Sequence, residues 1–357
     1  MRFQIISRCL RWALFGFVCA AHAQHAQWGF AVSGDSRNCG DIVMPAIAKG
    51  ALADKAEFYW HLGDFRAIYR FDQDYVQEKR PTDPGMLNIA SYLEGAWQDF
   101  TDNQLKPFGE MPVYLAFGNH ELIYPMTKEH LLAAFSFWLN APAIRQQRLK
   151  DGDETVEGYY HWTKDGIDFI TMDNSATAFD PVQLKWIHRR LNADESDAGI
   201  RALVVGMHEA LPESLSKEHS MNQTAEGTAT GLAVYNWLLD LKRRSNKPIY
   251  VLASHSHYYM EGVFNTEYWR THGGVLPGWI IGTAGAERNK LPADASDAKV
   301  AKAHVYGYLR ATVVDSKADP VRFEFKELKV SDVPESVVSR FTAEFVQACW
   351  DDNPTLQ

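Results

Sequence analysis

The sequence predicts an α/β or mixed β-sandwich fold, because short apolar, β-branched or aromatic runs recur between helix-like patterns. Two further features strengthen the reading. Several helical segments carry recognisable ends, and five of the strand-like runs are followed at once by Asp, Asn or His. Strands are expected at Gln27–Val32, Phe58–Leu62, Val113–Phe117, Ile167–Met172, Ala202–Met207, Ile249–Ala253 and Trp279–Ile281. Gly307–Leu328 alternates like a strand pair around a turn at Ser316–Asp319.

Helices are expected where the period lengthens. Ile42–Leu52 is apolar and Ala-rich, and Thr127–Leu139 opens on a Thr cap and carries an apolar face. Asp180-Pro181 supplies an N-cap with Pro at the first helical position, leading into Val182, Leu184, Ile187 and Leu191. Leu232–Leu241 ends in Lys242-Arg243-Arg244, a basic run suited to a helix C-terminus. Two polar segments interrupt the rhythm: Arg66–Glu110, rich in charge and aromatics with Pro81 and Pro84 inside it, and Ser214–Gly231, which reads as a loop.

Residues 1–23 read as a signal peptide. Arg2, Arg8 and Arg11 form a basic start, Trp12–Ala20 is apolar, and Ala21-His22-Ala23 is a small-x-small cleavage site. The apolar stretch falls short of the ~20 residues a membrane span needs. The mature chain is therefore expected to lack a transmembrane segment and to be periplasmic or secreted. No linker or repeat divides the remainder, so residues 24–330 are expected to form one domain, with 331–357 as a C-terminal tail packed on it.

Removing the signal leaves 33 basic against 45 acidic residues, a net charge of −12. A surface this acidic argues against non-specific binding to nucleic acid or anionic membranes, which need basic patches. Two of the four cysteines, Cys9 and Cys19, lie in the signal. Cys39 and Cys349 remain, and in an oxidising compartment they can pair or stay as separate thiols.

The chemistry lies at the strand ends. Asp35 follows the first strand in Ser33-Gly34-Asp35, Asp64 the second in Leu62-Gly63-Asp64, and the third ends in Gly118-Asn119-His120-Glu121. Later strands end in Gly206-Met207-His208 and Ser254-His255-Ser256-His257. Strand ends are where open α/β sheets place ligand sites. The donors are oxygen and nitrogen with no thiolate, a set suited to Zn, Mn or Fe rather than a Cys-type structural zinc.

These five motifs, in this order, resemble the calcineurin-like metallophosphoesterase superfamily, which includes the purple acid phosphatases. The resemblance covers about residues 27–310. It implies a four-layer αββα fold, a sandwich of two mixed sheets flanked by helices. It implies two divalent or trivalent ions, Mn, Zn or Fe. Asp35 and His257 would serve the first ion, Asn119, His208 and His255 the second, and Asp64 would bridge them. A metal-bound hydroxide would attack a small-molecule phosphomonoester or phosphodiester, while His120 stabilises the phosphoryl oxygens or protonates the leaving group.

This chain departs from the family at three places. Many members have Asp-x-His at the first motif, where Asp35-Ser36-Arg37 stands here, and Arg has no lone pair to give a metal. The purple acid phosphatases supply a Tyr three residues after the second motif's Asp; here that position is Ala67, with Tyr69 nearby. Ser254 replaces a usual Gly. The first site is therefore short of a ligand. Arg37 is expected to point into the same space and grip a phosphate, the alternative being that it turns outward or pairs with a nearby carboxylate such as Asp41.

Other residues have blander readings. A lone histidine is more often a packing residue, so His61, His161, His188, His219, His272 and His304 are read that way. Trp97, Phe135, Phe137, Trp138, Trp237 and Trp269 are read as core. Arg66 and Arg70 can face the site or solvent, and Gly282–Ala286 is read as a tight turn after a strand. Against the hydrolase stands a degenerate relative serving as a metal- or phosphate-binding module, which Arg37 favours and the Asn119-His120 pair opposes. A metal-dependent hydrolase of a non-phosphate bond is a weaker third reading.

Overall fold

The computed structural model describes residues 27–79, 87–153 and 155–351; the expected signal peptide, Pro81 and Pro84 lie outside the described residues. Among the described residues, two mixed sheets form. The first holds β1 (Trp28–Ser33), β2 (Tyr59–Leu62), β3 (Val113–Ala116), β11 (Gly307–Val313) and β12 (Val321–Glu327), in the order β12-β11-β1-β2-β3. The second holds β4 (Tyr160–Lys164), β5 (Ile167–Thr171), β6 (Ala202–Gly206), β7 (Ile249–Ala253), β8 (Tyr259–Glu261), β9 (Gly278–Ile281) and β10 (Val300–Lys302), in the order β10-β8-β9-β7-β6-β5-β4. β1, β2 and β3 run parallel, as do β5, β6, β7 and β9, so their carboxyl ends gather at one edge of each sheet. The β11–β12 pair is the hairpin expected at 307–328.

Alternation along the strands assigns the two faces of the second sheet. Ala202 and Val204 of β6 join the core between the sheets, whereas Leu203 and Val205 face the helices Pro181–Ser196 and Ala225–Ser245. The inter-sheet core is dominated by aromatic rings. Phe30 and Phe58 stack at 4.9 Å, Tyr114 and Trp162 at 3.9 Å, and Trp162 and Phe169 at 5.1 Å. Such pairs add ~0.5–1.5 kcal/mol each beyond their burial, and they fix how the sheets sit on one another. No helix among the described residues is long and apolar enough to cross a membrane.

Several local expectations are corrected. The helix expected from Leu232 starts at Ala225, where Thr224 caps the N–H of Gly227. Gly227 and Gly231, read as loop residues, are helical. A Cβ at Gly227 would stand 2.2 Å from the Thr177 carbonyl oxygen, and one at Gly231 would stand 2.4 Å from Pro212. These glycines serve close packing rather than flexibility. The helix expected over Thr127–Leu139 is broken at Phe135, whose φ of −101° and ψ of 15° separate Lys128–Ala134 from Ser136–Leu139. Phe135 turns into the rings of Phe65, Phe100 and Phe117, while Phe137, expected in the core, is 78% exposed. Strands β4, β8 and β10 were not legible from the pattern.

Arg66 is corrected most strongly, since it faces neither site nor solvent. It is fully buried and pairs with Asp41 at 2.6 Å, Asp74 at 3.2 Å, Asp72 at 3.8 Å and also Asp99. The polar segment Arg66–Glu110 thus folds inward around one guanidinium, with helices at Gln73–Lys79 and Ile89–Phe100. Cys39 and Cys349 form a disulfide that clasps the helix Ala343–Asp351 to the loop before the helix Gly40–Ala53.

His161 of β4 lies between Asp168, at 2.8 Å, and Asp151. Burial opposes its charge, yet the hydrogen bonds to Asp151 and Asp168 outweigh it and raise its pKa to about 9. A folded pKa above the unfolded value gives stability that is complete below pH ~6.5 and lost as pH rises through about 9. His161→Asn should therefore cost about 3 kcal/mol at pH 6 and much less at pH 10, read from urea midpoints of parent and variant. An equal cost at both pH values would show that His161 carries no charge in the fold.

Candidate metal centre

All eight candidate residues meet where the carboxyl ends of the two sheets converge. Asp35, Asp64, His208 and His255 each stand two residues beyond their strand, and Asn119 three beyond its own. Asp35, Asp64 and His255 adopt left-handed backbone, with φ of 59°, 60° and 65°. Each such non-Gly residue costs on the order of 1–3 kcal/mol and persists only where its surroundings over-determine it. Here they do. The Asp35 N–H donates to the Gly63 carbonyl at 2.9 Å, the Ser36 N–H to the Asp64 carbonyl at 2.9 Å, and the Ala286 N–H to the Asp35 carbonyl at 2.9 Å. The Gly282–Ala286 turn thus braces the Asp35 loop.

One group of donors comprises Asp64, Asn119, His208 and His255. His208 Nδ1–H donates to the Leu62 carbonyl at 2.8 Å, which leaves Nε2 facing the cluster. That Nε2 lies 3.3 Å from Asp64 Oδ1, 3.1 Å from Asn119 Oδ1 and 3.0 Å from His255 Nδ1. Donor atoms of Asp64, His208 and His255 all lie within 4.8 Å of one another. Asp64 Oδ2 is buried without a hydrogen-bond partner. Converging nitrogen and oxygen lone pairs with an orphaned carboxylate oxygen suit a cation, so this group fits a metal. A Cβ at Gly118 would stand 2.3 Å from Asp64 Oδ1 and 2.7 Å from His208 Cε1, so only glycine lets these groups close up.

The other group comprises Asp35, His257 and Arg37. Asp35 Oδ2 accepts from the Ser254 hydroxyl and, at 2.7 Å, from the His255 N–H; Oδ1 lies 3.2 Å from His257 Nε2 and has no hydrogen-bond partner. His257 Nδ1–H donates to the Glu287 carbonyl. Arg37 is only 9% exposed and points inward, with Nη2 at 3.0 Å from His257 Nε2 and Nε at 3.7 Å from Asp64 Oδ2. The alternative partner, Asp41, is committed to Arg66. Burial works against the Arg37 charge, but Asp64 and Asp35 raise its pKa above the ordinary guanidinium value. Burial likewise works against the Asp64 carboxylate, and His120, His208 and Arg37 hold it well below its usual range.

His120 donates Nδ1–H to the Ala67 carbonyl at 2.7 Å, and its Nε2 lies 3.6 Å from Asp64 Oδ2. Burial makes its imidazolium more acidic than usual, against the opposing pull of Asp64. Tyr69, 54% exposed, lies with its ring 5.3 Å from that of His120.

Two buried residues outside the expected donor set, Glu121 and Asn174, aim these groups. Glu121 accepts the N–H groups of Asp64 at 2.9 Å, Phe65 at 2.7 Å and Gly118 at 2.6 Å. Asn174 Oδ1 accepts from the N–H groups of His208 at 3.2 Å and Glu209 at 3.1 Å. Signals existed for both. Glu121 closes the Gly118-Asn119-His120-Glu121 motif, and Asn174 stands three residues beyond β5, as Asn119 does beyond β3. His219, read as a packing residue, has its ring 5.8 Å from that of His255 and lines a cavity of about 530 Å³ with Ser216, Tyr258 and Lys290.

Residues 39–272 match the sequence model of the family described as calcineurin-like phosphoesterase. Asp35 and Arg37 lie just before the matched span. The fold is similar to that of the purple acid phosphatase PPD1 from yellow lupin (Lupinus luteus) seeds, with a TM-score of 0.58 and 16% identity over 85% of this chain and 52% of that one. It is also similar to that of PhoD, with a TM-score of 0.54 and 14% identity over 86% of this chain and 72% of that one. This chain thus spans about half the length of the lupin phosphatase. No curated protein matches the sequence.

Glu121 offers the sharpest test of how the centre is aimed. Glu121→Gln puts an amide NH₂ where three backbone N–H groups now find carboxylate oxygens, leaving a buried donor against a donor. It should weaken metal retention about tenfold or more, measured as residual metal after graded chelation, while the far-ultraviolet circular dichroism stays unchanged. Parent-like retention would show that Asp64 is held without Glu121.

Proposed function

The chain belongs to the calcineurin-like phosphoesterase family, and from that membership and the geometry of its centre we propose that it is an exported metal-dependent phosphoesterase acting on small phosphomonoesters or phosphodiesters. The observation that carries the reading is the convergence of Asp64, Asn119, His208 and His255 beside the two cationic or protonable groups Arg37 and His120. In this reading the first four residues hold metal, and Asp35 and His257 line the adjoining side. When bound, the metal supplies Lewis acidity toward a phosphoryl oxygen and makes water acidic enough to be a nucleophile near neutral pH. The donor set suits Mn, Zn or Fe.

The protein's own groups then divide the work. Arg37 brings fixed positive charge to the phosphoryl oxygens, in a buried setting where that charge is worth more than in water. With Nδ1–H committed to Ala67, His120 carries a proton on Nε2 only as the imidazolium. Its lowered pKa makes that imidazolium a better donor to a leaving alkoxide.

Residues 24–330 form a single catalytic unit in this reading, with the segment from 331 to 357 as its C-terminal clasp. Export rests on the basic-apolar start of the chain, Arg2 to Ala23, and on the Cys39–Cys349 disulfide, which belongs to an oxidising compartment. A second reading, a binding module that keeps the scaffold without turnover, draws on the inward Arg37.

Turnover of an aryl phosphate and a bis-aryl phosphodiester by the mature protein, with Mn, Zn or Fe added singly, separates the two readings. Hydrolysis of at least one ester is expected, and its absence with every metal would leave the binding module. His120→Asn should lower turnover by ~10²–10⁴ with metal content unchanged, and the loss should shrink for better leaving groups. A uniform loss across leaving groups would remove the acid role.

A further inference from the structure

We propose that the Arg37 guanidinium takes the place of one of the two cations, so that this chain binds a single metal ion, at Asp64, Asn119, His208 and His255, beside a permanent positive charge of its own. The inference rests on the metal-dependent reading above and changes its stoichiometry.

Three observations carry it. First, Arg37 stands between the residues that would embrace the missing ion: Nη2 is 3.0 Å from His257 Nε2, and Nε is 3.7 Å from Asp64 Oδ2. Because His257 Nδ1–H is spent on the Glu287 carbonyl, the atom facing Arg37 is the Nε2 lone pair. One lone pair cannot serve an N–H donor and a metal together. Second, the chain adds no replacement ligand at the positions the site would need. Residue 37 is the arginine itself, and residue 67 is an alanine whose carbonyl accepts from His120. Third, the charge is balanced without an ion. Asp35 and Asp64 are both fully buried, and buried carboxylates need a cation near them. The guanidinium, 3.7 Å from Asp64 Oδ2, is such a cation, and it cannot lose its proton near neutral pH.

The side chain cannot simply swing out to admit an ion. It is 9% exposed, and leaving would take a counter-charge away from the fully buried carboxylate of Asp64. The consequence is a division of labour. One side of the phosphoryl group would meet a metal, and the other a planar, directional donor that is always present.

Metal analysis of the mature, chelator-stripped protein after equilibration with Mn²⁺ tests this directly. One ion per chain is expected, with the magnetic-resonance spectrum of an isolated Mn²⁺. Arg37→His, which restores a nitrogen donor, should bind a second ion and show the exchange coupling of a pair ~3.5–4 Å apart. If that variant does not fold, Arg37→Gln, which removes the charge and keeps most of the volume, should gain the second ion more weakly. Two ions per parent chain with phosphoesterase turnover would overturn this inference alone. No ion bound and no turnover would overturn the metal-dependent reading as well. A folded Arg37→His that still holds one ion would show that the guanidinium is not what excludes the second.

Discussion

The carboxylate of Asp64 is where the two sheets are tied together. It is fully buried on a left-handed residue beyond β2, and a buried charge must be surrounded by partners or it destabilises the fold. Its partners arrive from separate parts of the chain. His208 comes from the second sheet, His120 from beyond β3, and Arg37 from beyond β1. The three N–H bonds to Glu121 hold the Asp64 loop against its own backbone preference. Because each partner satisfies a need of Asp64, the loops cannot be placed independently of one another.

The scaffold around this point is made mainly of constraints on loops. Arg66, two residues after Asp64, gathers Asp41, Asp72, Asp74 and Asp99 and so draws the charge-rich segment against the helix that follows Asp35. Removing one member of such a buried network leaves an uncompensated charge, at a cost of order 3–5 kcal/mol. The disulfide from Cys39 clasps the last helix to the same region. Both devices bear on the loop between β1 and its helix, which carries Asp35 and Arg37.

The electrostatics of the centre follow from this crowding. Burial would raise the pKa of each carboxylate and lower that of each cationic group, and mutual proximity reverses that for Asp64 and Arg37. The site is thus set up to hold positive charge at two neighbouring places. One is lined with lone pairs and the other is filled by a guanidinium.

Much of this was legible in the sequence because it is local. Short uninterrupted apolar runs mark β6 and β7, which are buried on both faces, and Asp180-Pro181 caps its helix as its residue types dictate. Asp35, Asp64, Asn119, His208 and His255 could be singled out because each stands two or three residues beyond a recognisable strand, so the fold had to deliver them to one edge. Other features needed three dimensions. The sequence marks Gly227 and Gly231 as breakers, yet Thr177 and Pro212 make them packing residues in a helix. It leaves open whether Cys39 and Cys349 pair, and only the approach of their two segments in space joins them. Arg66 and Arg37 are alike in sequence, long cations near a motif, but one is swallowed by four aspartates and the other turns onto His257 and Asp64. Backbone propensity and periodicity are properties of neighbours in the chain, so the sequence determined most of the strands and the order of the donors. The partner a long charged side chain takes depends on which carboxylates stand within its reach in space, and that only the tertiary structure decided.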